Sequence, residues 1–132
     1  PAARIPDSPG PGRQFGDVTS EPAATYPLGR NTIVEATFVS ANPSNDPRNG
    51  GAFLEVQLAS GNDWTTVASD DDWGTIFRWR RVVAGVSRAN VWWHVPADAS
   101  PGSYRIVHHG TRRDTSGDLL PFNAVTRTFS LE

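Results

Sequence analysis

The sequence predicts an all-β domain: a sandwich of about seven to eight antiparallel strands in two sheets, with no disulfide. Two observations carry this. From residue 32 onward, short runs rich in Val, Ile, Thr and aromatics alternate with clusters of Gly, Asn, Asp and Pro, the pattern of successive strands and turns. About seven such runs in roughly 100 residues, with no window holding a helical period, match a two-sheet sandwich. The chain has no Cys, so packing and strand pairing must hold the fold.

Residues 1–12 carry four Pro and two Gly among few apolar side chains. Residues 1–14 are therefore predicted to be an extended interdomain linker, and 15–132 the folded accessory domain. The predicted strands are 32–39, 53–59, 65–68, 75–82, 90–95, 103–109 and 126–131. Alternation gives each run a buried face: Val34, Ala36 and Phe38; Leu54, Val56 and Leu58; Phe77 and Trp79; Val91, Trp93 and Val95; Tyr104 and Ile106; Phe129 and Leu131. Between the runs, Asn42-Pro43, Asn49-Gly50-Gly51, Gly61-Asn62-Asp63, Pro96 and Pro101-Gly102 supply the turns.

At 132 residues the chain fits one domain with a real core. Its net charge is −2, and all twelve of its basic residues are Arg; no segment collects them into a phosphate-tracking surface, so nucleic acid is not an expected partner. No stretch has the roughly 20 apolar residues that cross a bilayer as a helix. The chain opens at Pro1 without a signal-peptide layout, as an excised part of a longer protein would.

His94, His108 and His109 are the only histidines. Adjacent strand residues point to opposite faces, so His108 and His109 are not expected to share a metal, and surface or interface imidazoles are the favoured reading. Asp70, Asp71 and Asp72, with Asp63, have oxygens that calcium would accept, but their spacing fits no EF-hand. A turn capped by carboxylates is the favoured account. There is no Gly-x-Ser-x-Gly elbow and no phosphate loop, and no catalytic set can be assembled. Trp92 and Trp93 are consecutive, so one should face the core and the other outward. Arg78 and Arg80 share the strand face opposite Phe77 and Trp79, which gives that sheet a basic outer surface.

Several segments carry a resemblance. They are Phe15-Gly16-Asp17-Val18; residues 36–46, Ala36-Thr37-Phe38-Val39-Ser40-Ala41-Asn42-Pro43-Ser44-Asn45-Asp46; Phe53-Leu54-Glu55-Val56; Asp72-Trp73 with Phe77-Arg78-Trp79; Val91-Trp92-Trp93-His94-Val95-Pro96; residues 101–110, beginning Pro101-Gly102-Ser103-Tyr104; and the ending from Pro121-Phe122 through Phe129. In this order they resemble the carboxy-terminal domain of the neutral, non-lysosomal ceramidases. The chain departs from the commoner pattern at Ser44, where Arg or Lys is usual, and at Asn123-Ala124, which replaces Glu-Gly.

The resemblance implies an immunoglobulin-like sandwich attached to a zinc-dependent amidase domain that hydrolyses N-acylsphingosine to sphingosine and a fatty acid. It places the zinc and the catalytic residues in that upstream domain, so no catalytic, cofactor-binding or metal residue is assigned here. The expected partners are the upstream catalytic domain and, through the parent enzyme, a membrane surface; the expected location is secreted or cell-surface. Asn42, Asn45, Asp46, Trp73, Arg78 and Trp92 are the expected interdomain contacts, because motif loops and exposed aromatics are where a sandwich can carry specificity. A reading from another class is a carbohydrate- or ligand-binding module of a different secreted hydrolase, with exposed Trp rings stacking on sugars.

Overall fold

Each predicted run becomes a strand because its apolar residues recur every second position and so can share one buried face. The computed structural model describes residues 5–29, 31–45 and 53–132. Ten strands follow in chain order: β1 Val18–Ser20, β2 Thr25–Tyr26, β3 Ile33–Ser40, β4 Leu54–Ser60, β5 Asp63–Ser69, β6 Thr75–Val83, β7 Val86–His94, β8 Gly102–Arg113, β9 Leu119–Val125 and β10 Phe129–Leu131. One turn of 3-10 helix, Pro43–Asn45, follows β3. The predicted turn Asn49-Gly50-Gly51 lies outside the described residues.

One sheet has the order β1-β3-β7-β6; the other runs β2-β10-β8-β4-β5, with β9 paired to β8. Taken along the chain, these are the A-B-E-D and G-F-C-C′ orders of an immunoglobulin-like sandwich. β9 is an addition between the last two strands of that scheme. Pairing is antiparallel except where β10 meets β2, which is parallel. Among the described residues β6 is an edge, bonded to β7 on one side only.

The predicted inward faces meet between the sheets. Val34, Ala36, Phe38, Leu54, Val56, Val91, Trp93, Tyr104, Ile106, Phe129 and Leu131 are all buried, and Leu58, Phe77 and Val95 pack against them partly buried. Trp93, Tyr104 and Phe129 form an aromatic cluster with centroids 5.4–6.4 Å apart. The Tyr104 hydroxyl donates to the Ser100 carbonyl at 2.6 Å. This is the tyrosine corner of such sandwiches, which ties the incoming loop to the start of the strand. Burial raises the Tyr104 pKa, which keeps the phenol a donor.

The strand count exceeds the seven to eight expected, and three strands were not foreseen. β1 and β2 have three and two residues, too few for alternation to register. β9 contains Pro121, and proline argues against a strand unless the strand is an edge; β9 is one. β7 and β8 also extend past their predicted limits, from residue 90 back to Val86 and from 109 on to Arg113. The extensions read Val-Ser-Arg-Ala and Gly-Thr-Arg-Arg, small or polar for the most part, so apolar alternation is weak there. The run expected at 126–131 is a strand only over Phe129–Leu131.

From residue 5 on, the Pro/Gly-rich start is tied to the sandwich. The Asp7 amide donates to the Arg113 carbonyl and the Ser8 amide to the Gly85 carbonyl, each at 2.8 Å. Ser8 also forms a parallel bridge with Val86. Arg88 Nη1 donates to the Pro9 carbonyl at 3.3 Å.

Candidate functional site

Asn42 and Asn45 flank the helical turn after β3, and the turn points them at the incoming chain. Asn45 Nδ2 donates to Asp7 Oδ2 at 2.6 Å and to the Thr111 carbonyl at 3.3 Å. The Asn42 amide donates to Asp7 Oδ1 at 3.4 Å, and the Arg113 amide to Asp7 Oδ2 at 2.7 Å. One carboxylate thus joins the helical turn, the end of β8 and the incoming segment. Beside it opens a cleft of about 310 Å³ lined by Ile5, Asp7, Asn42, Asn45, Trp79, Arg81, Gly85, Ser87 and Arg113. Asp46, the third expected contact of this motif, lies outside the described residues.

The other three expected contacts lie elsewhere. Arg78 and Trp92 are on the outer face of the β1-β3-β7-β6 sheet, where Arg78 pairs with Asn90 and Trp92 with Ile76 and Glu35. Trp73 stands fully exposed in the turn before β6, next to Gly74, whose carbonyl accepts from the His94 amide. This is the opposite end of β6 and β7 from the cleft, since the register runs from Thr75↔Trp93 to Arg81↔Ser87. The five nominated positions among the described residues therefore do not form one patch. Arg80 faces Arg88 across the strands, which makes this outer face basic. The Arg88 pKa is lowered by burial and then by Arg13 and Arg80.

The histidines separate as alternation requires, but His108 is not at the surface or an interface as expected. It is 1% exposed, ringed by Phe38, Phe77 and Phe122 with centroids 5.3–5.8 Å away. A neutral imidazole can be buried when both ring nitrogens are bonded, and both are. The Phe53 carbonyl, 2.9 Å from Nδ1, can only accept. Nδ1 therefore carries the proton, and Ser40 Oγ donates to Nε2 at 2.9 Å. Ser40 and His108 lie on β3 and β8, the strand pair that a disulfide bridges in antibody domains; here a hydrogen bond spans the sheets.

Ser40 and His108 have the spacing of a nucleophile and its base, but His108 Nδ1 donates to the Phe53 backbone carbonyl, where a triad has a carboxylate. The neighbouring void is only about 10 Å³, too small for any substrate.

His109, on the outer face, donates from Nδ1 to Asn123 Oδ1 at 2.8 Å, and its Nε2 meets Glu55 Oε2 at 2.5 Å. Among the described residues no three His, Cys, Asp or Glu converge on a metal position. The acidic turn is committed to backbone donors: Asp70 Oδ1 accepts from the Phe53 and Leu54 amides, and Asp72 Oδ2 from the Ser69 amide. As expected of Trp92 and Trp93, Trp93 is in the core and Trp92 faces outward. The Trp64 ring is covered by the Arg105 guanidinium at 4.2 Å, so that face is not offered to a sugar.

Glu55 has its pKa lowered from the ordinary 4.5, first by the hydrogen bond from Thr66 and then by the one with His109. A depressed folded-state pKa adds stability above the unfolded value, and that stability is lost as pH falls through the folded one. Glu55→Gln is expected to destabilise the chain above pH 4.5 and to flatten the acid limb of its stability profile. Urea midpoints measured across that range read both effects. An unchanged acid limb would show that Glu55 is not held ionised by its neighbours.

Sequence reading missed Asp7 and the pairing of His109 with Glu55. Asp7 sits in a segment with every mark of a linker, and its partner Arg113 is 106 residues away. Position 55 shows only an outward Glu on a strand.

Residues 2–131 match the family model described as neutral/alkaline non-lysosomal ceramidase, C-terminal. The chain is 49% identical over 124 residues to a neutral ceramidase of Mycobacterium tuberculosis, covering 94% of this chain and 19% of that protein. It is 38% identical over 128 residues to a neutral ceramidase of Oryza sativa, covering 95% and 16%. Among solved structures, the neutral ceramidase of Pseudomonas aeruginosa superposes with a TM-score of 0.91 at 33% identity, over 99% of this chain and 21% of that one. The chain thus spans about a fifth of the length of these relatives.

Proposed function

The chain belongs to the neutral/alkaline non-lysosomal ceramidase C-terminal family, and from that membership we propose that it is the non-catalytic C-terminal domain of a neutral ceramidase. The parent is a zinc-dependent amidase that cleaves N-acylsphingosine to sphingosine and a fatty acid. This domain docks on the upstream catalytic domain and stabilises it. The observation that carries the reading is the division of length and chemistry. The chain covers about a fifth of its relatives, while its described residues pair an inaccessible Ser with an inaccessible His and gather no metal ligands.

On this reading zinc is held upstream, where it polarises the amide carbonyl and lowers the pKa of bound water. Residues here act on the reaction only through the position and stability of that domain. The parent acts where its lipid substrate lies, at a secreted or cell-surface location.

The test is fatty-acid release from N-acylsphingosine by this chain and by the longer product of its native gene, each with and without a zinc chelator. Chelator-sensitive release by the longer product alone is the expected result. Release by the isolated chain would overturn the assignment. Release by neither would favour a ligand-binding module, for which Trp73 is the exposed ring.

A further inference from the structure

We propose that Arg13, Arg80 and Arg88 form a binding site for a single phosphate group on the outer face of the β1-β3-β7-β6 sheet. The site is built wholly from this chain and stands apart from the accessory role proposed above. Three observations carry it.

The first is register. Arg80 on β6 and Arg88 on β7 are direct partners across the strands, and like charges placed directly opposite destabilise a sheet. Arg13 joins them from the incoming segment. Its amide donates to the Gly10 carbonyl at 3.2 Å, closing a turn that lies against Arg88: a Cβ on Gly10 would stand 3.5 Å from Arg88 Nη2. Because the three cations come from positions 13, 80 and 88, no one segment of the sequence shows them together.

The second is the want of a counter-charge. Among the described residues none of the three forms an ion pair. Burial lowers the Arg88 pKa, Arg13 and Arg80 lower it further, and Asp17 alone opposes them. The Asp17 carboxylate accepts from the Gln14 amide at 2.9 Å. A half-buried guanidinium is thus held beside two like charges with one carboxylate to set against them.

The third is that Arg88 is held in place. Its Nη1 donates to the Pro9 and Ser87 carbonyls at 3.3 and 2.9 Å, which fixes the plane of the guanidinium. Nε and Nη2 of Arg88, and the exposed guanidiniums of Arg13 and Arg80, have no acceptor among the described residues. Guanidinium forks match phosphate oxygens in pairs, so a phosphate dianion here would satisfy these donors and cancel the repulsion. Three cations at one spot suit one phosphate group, whereas a nucleic acid would need a stripe of them. Arg81 lies outside the site, on the opposite face of β6 and over the Trp79 ring.

Melting of this chain in sodium phosphate and in sodium chloride of equal ionic strength tests the site, because screening acts alike in both. Arg80→Gln relieves the opposed pair and also removes a phosphate ligand. It should melt above the unsubstituted chain in chloride and below it in phosphate, since only the intact site gains from the bound ion. Calorimetric titration with inorganic phosphate should show binding weakened about tenfold by Arg80→Gln or by Arg13→Gln, and changed by less than about twofold by Arg81→Gln. Co-sedimentation with phosphatidylcholine vesicles containing phosphatidic acid separates the sources of the group. Pelleting that is lost when Arg13→Gln and Arg80→Gln are combined assigns a lipid headgroup, and phosphate binding without pelleting assigns a soluble phosphate ester. Stabilisation by phosphate that Arg80→Gln shares in full, or binding lost on Arg81→Gln and kept on Arg80→Gln, would overturn the site.

Discussion

His108→Ala lowers the unfolding free energy by about 3–4 kcal/mol, as the sum of a cavity and a stranded polar group. The imidazole fills the space between Phe38, Phe77 and Phe122, and removing it takes packing from three rings at once. It also takes the acceptor from Ser40 Oγ, which is buried with only a longer alternative, the Ala41 carbonyl at 3.4 Å. The Phe53 carbonyl keeps one donor, the His109 amide. A domain of this size has about 5–15 kcal/mol in all, so the variant should unfold at a much lower urea midpoint with an unchanged m-value. His108→Phe separates the two costs because it restores a ring without its nitrogens. A shift under about 1 kcal/mol for His108→Ala would mean that the His108 bridge does not hold the sheets together.

Gly110→Val costs about 3 kcal/mol, a loss produced by overpacking. Gly110 and Phe122 are register partners, and the tip of the Phe122 ring, Cζ and both Cε atoms, lies over the glycine. A Cβ there would overlap the ring at Cζ and stand 2.6 Å from Cε1. The ring cannot move aside freely, since Phe15 and His108 hold it at centroid distances of 5.2 and 5.8 Å. The larger side chain must therefore push β9 from β8, even though valine is otherwise favoured in strands. Thermal melting of the variant beside Gly110→Ala, which adds only the Cβ, measures the effect. Equal stability for all three would show that Phe122 turns away without cost.

These two positions also show how far the sequence can be read. The core could be read because burial repeats every second residue: Val34, Ala36 and Phe38 on β3, or Tyr104 and Ile106 on β8, reveal both the strand and its inward face. The same alternation predicted that Trp93 turns in and Trp92 out. His108 occupies the next inward position after Ile106, yet its residue type argued for the surface, and only its bonds to Ser40 and Phe53 explain its burial. β9 was hidden by Pro121, and Gly110 looks like a turn residue until Phe122 is seen above it. For the candidate surface, the motif around Asn42 and Asn45 was legible as a specific loop. What it contacts was not, because Asp7 approaches from a segment whose composition describes a linker, and contacts across a hundred residues leave no local pattern. Trp73, Arg78 and Trp92 stand out in the sequence by residue type and motif, and the register places them away from the cleft.

β6 has a consequence for how copies of the chain behave together. Nine residues long and, among the described residues, unpaired along one side, it presents the row of backbone donors and acceptors on which a second sheet can grow. Val82 and Val83 would favour such growth. Arg78, Arg80 and Arg81, all exposed on the same strand, oppose it, because a copy arriving edge to edge would bring its own three cations against them. The fold thus keeps this edge soluble by charge repulsion, a form of protection that weakens as salt rises.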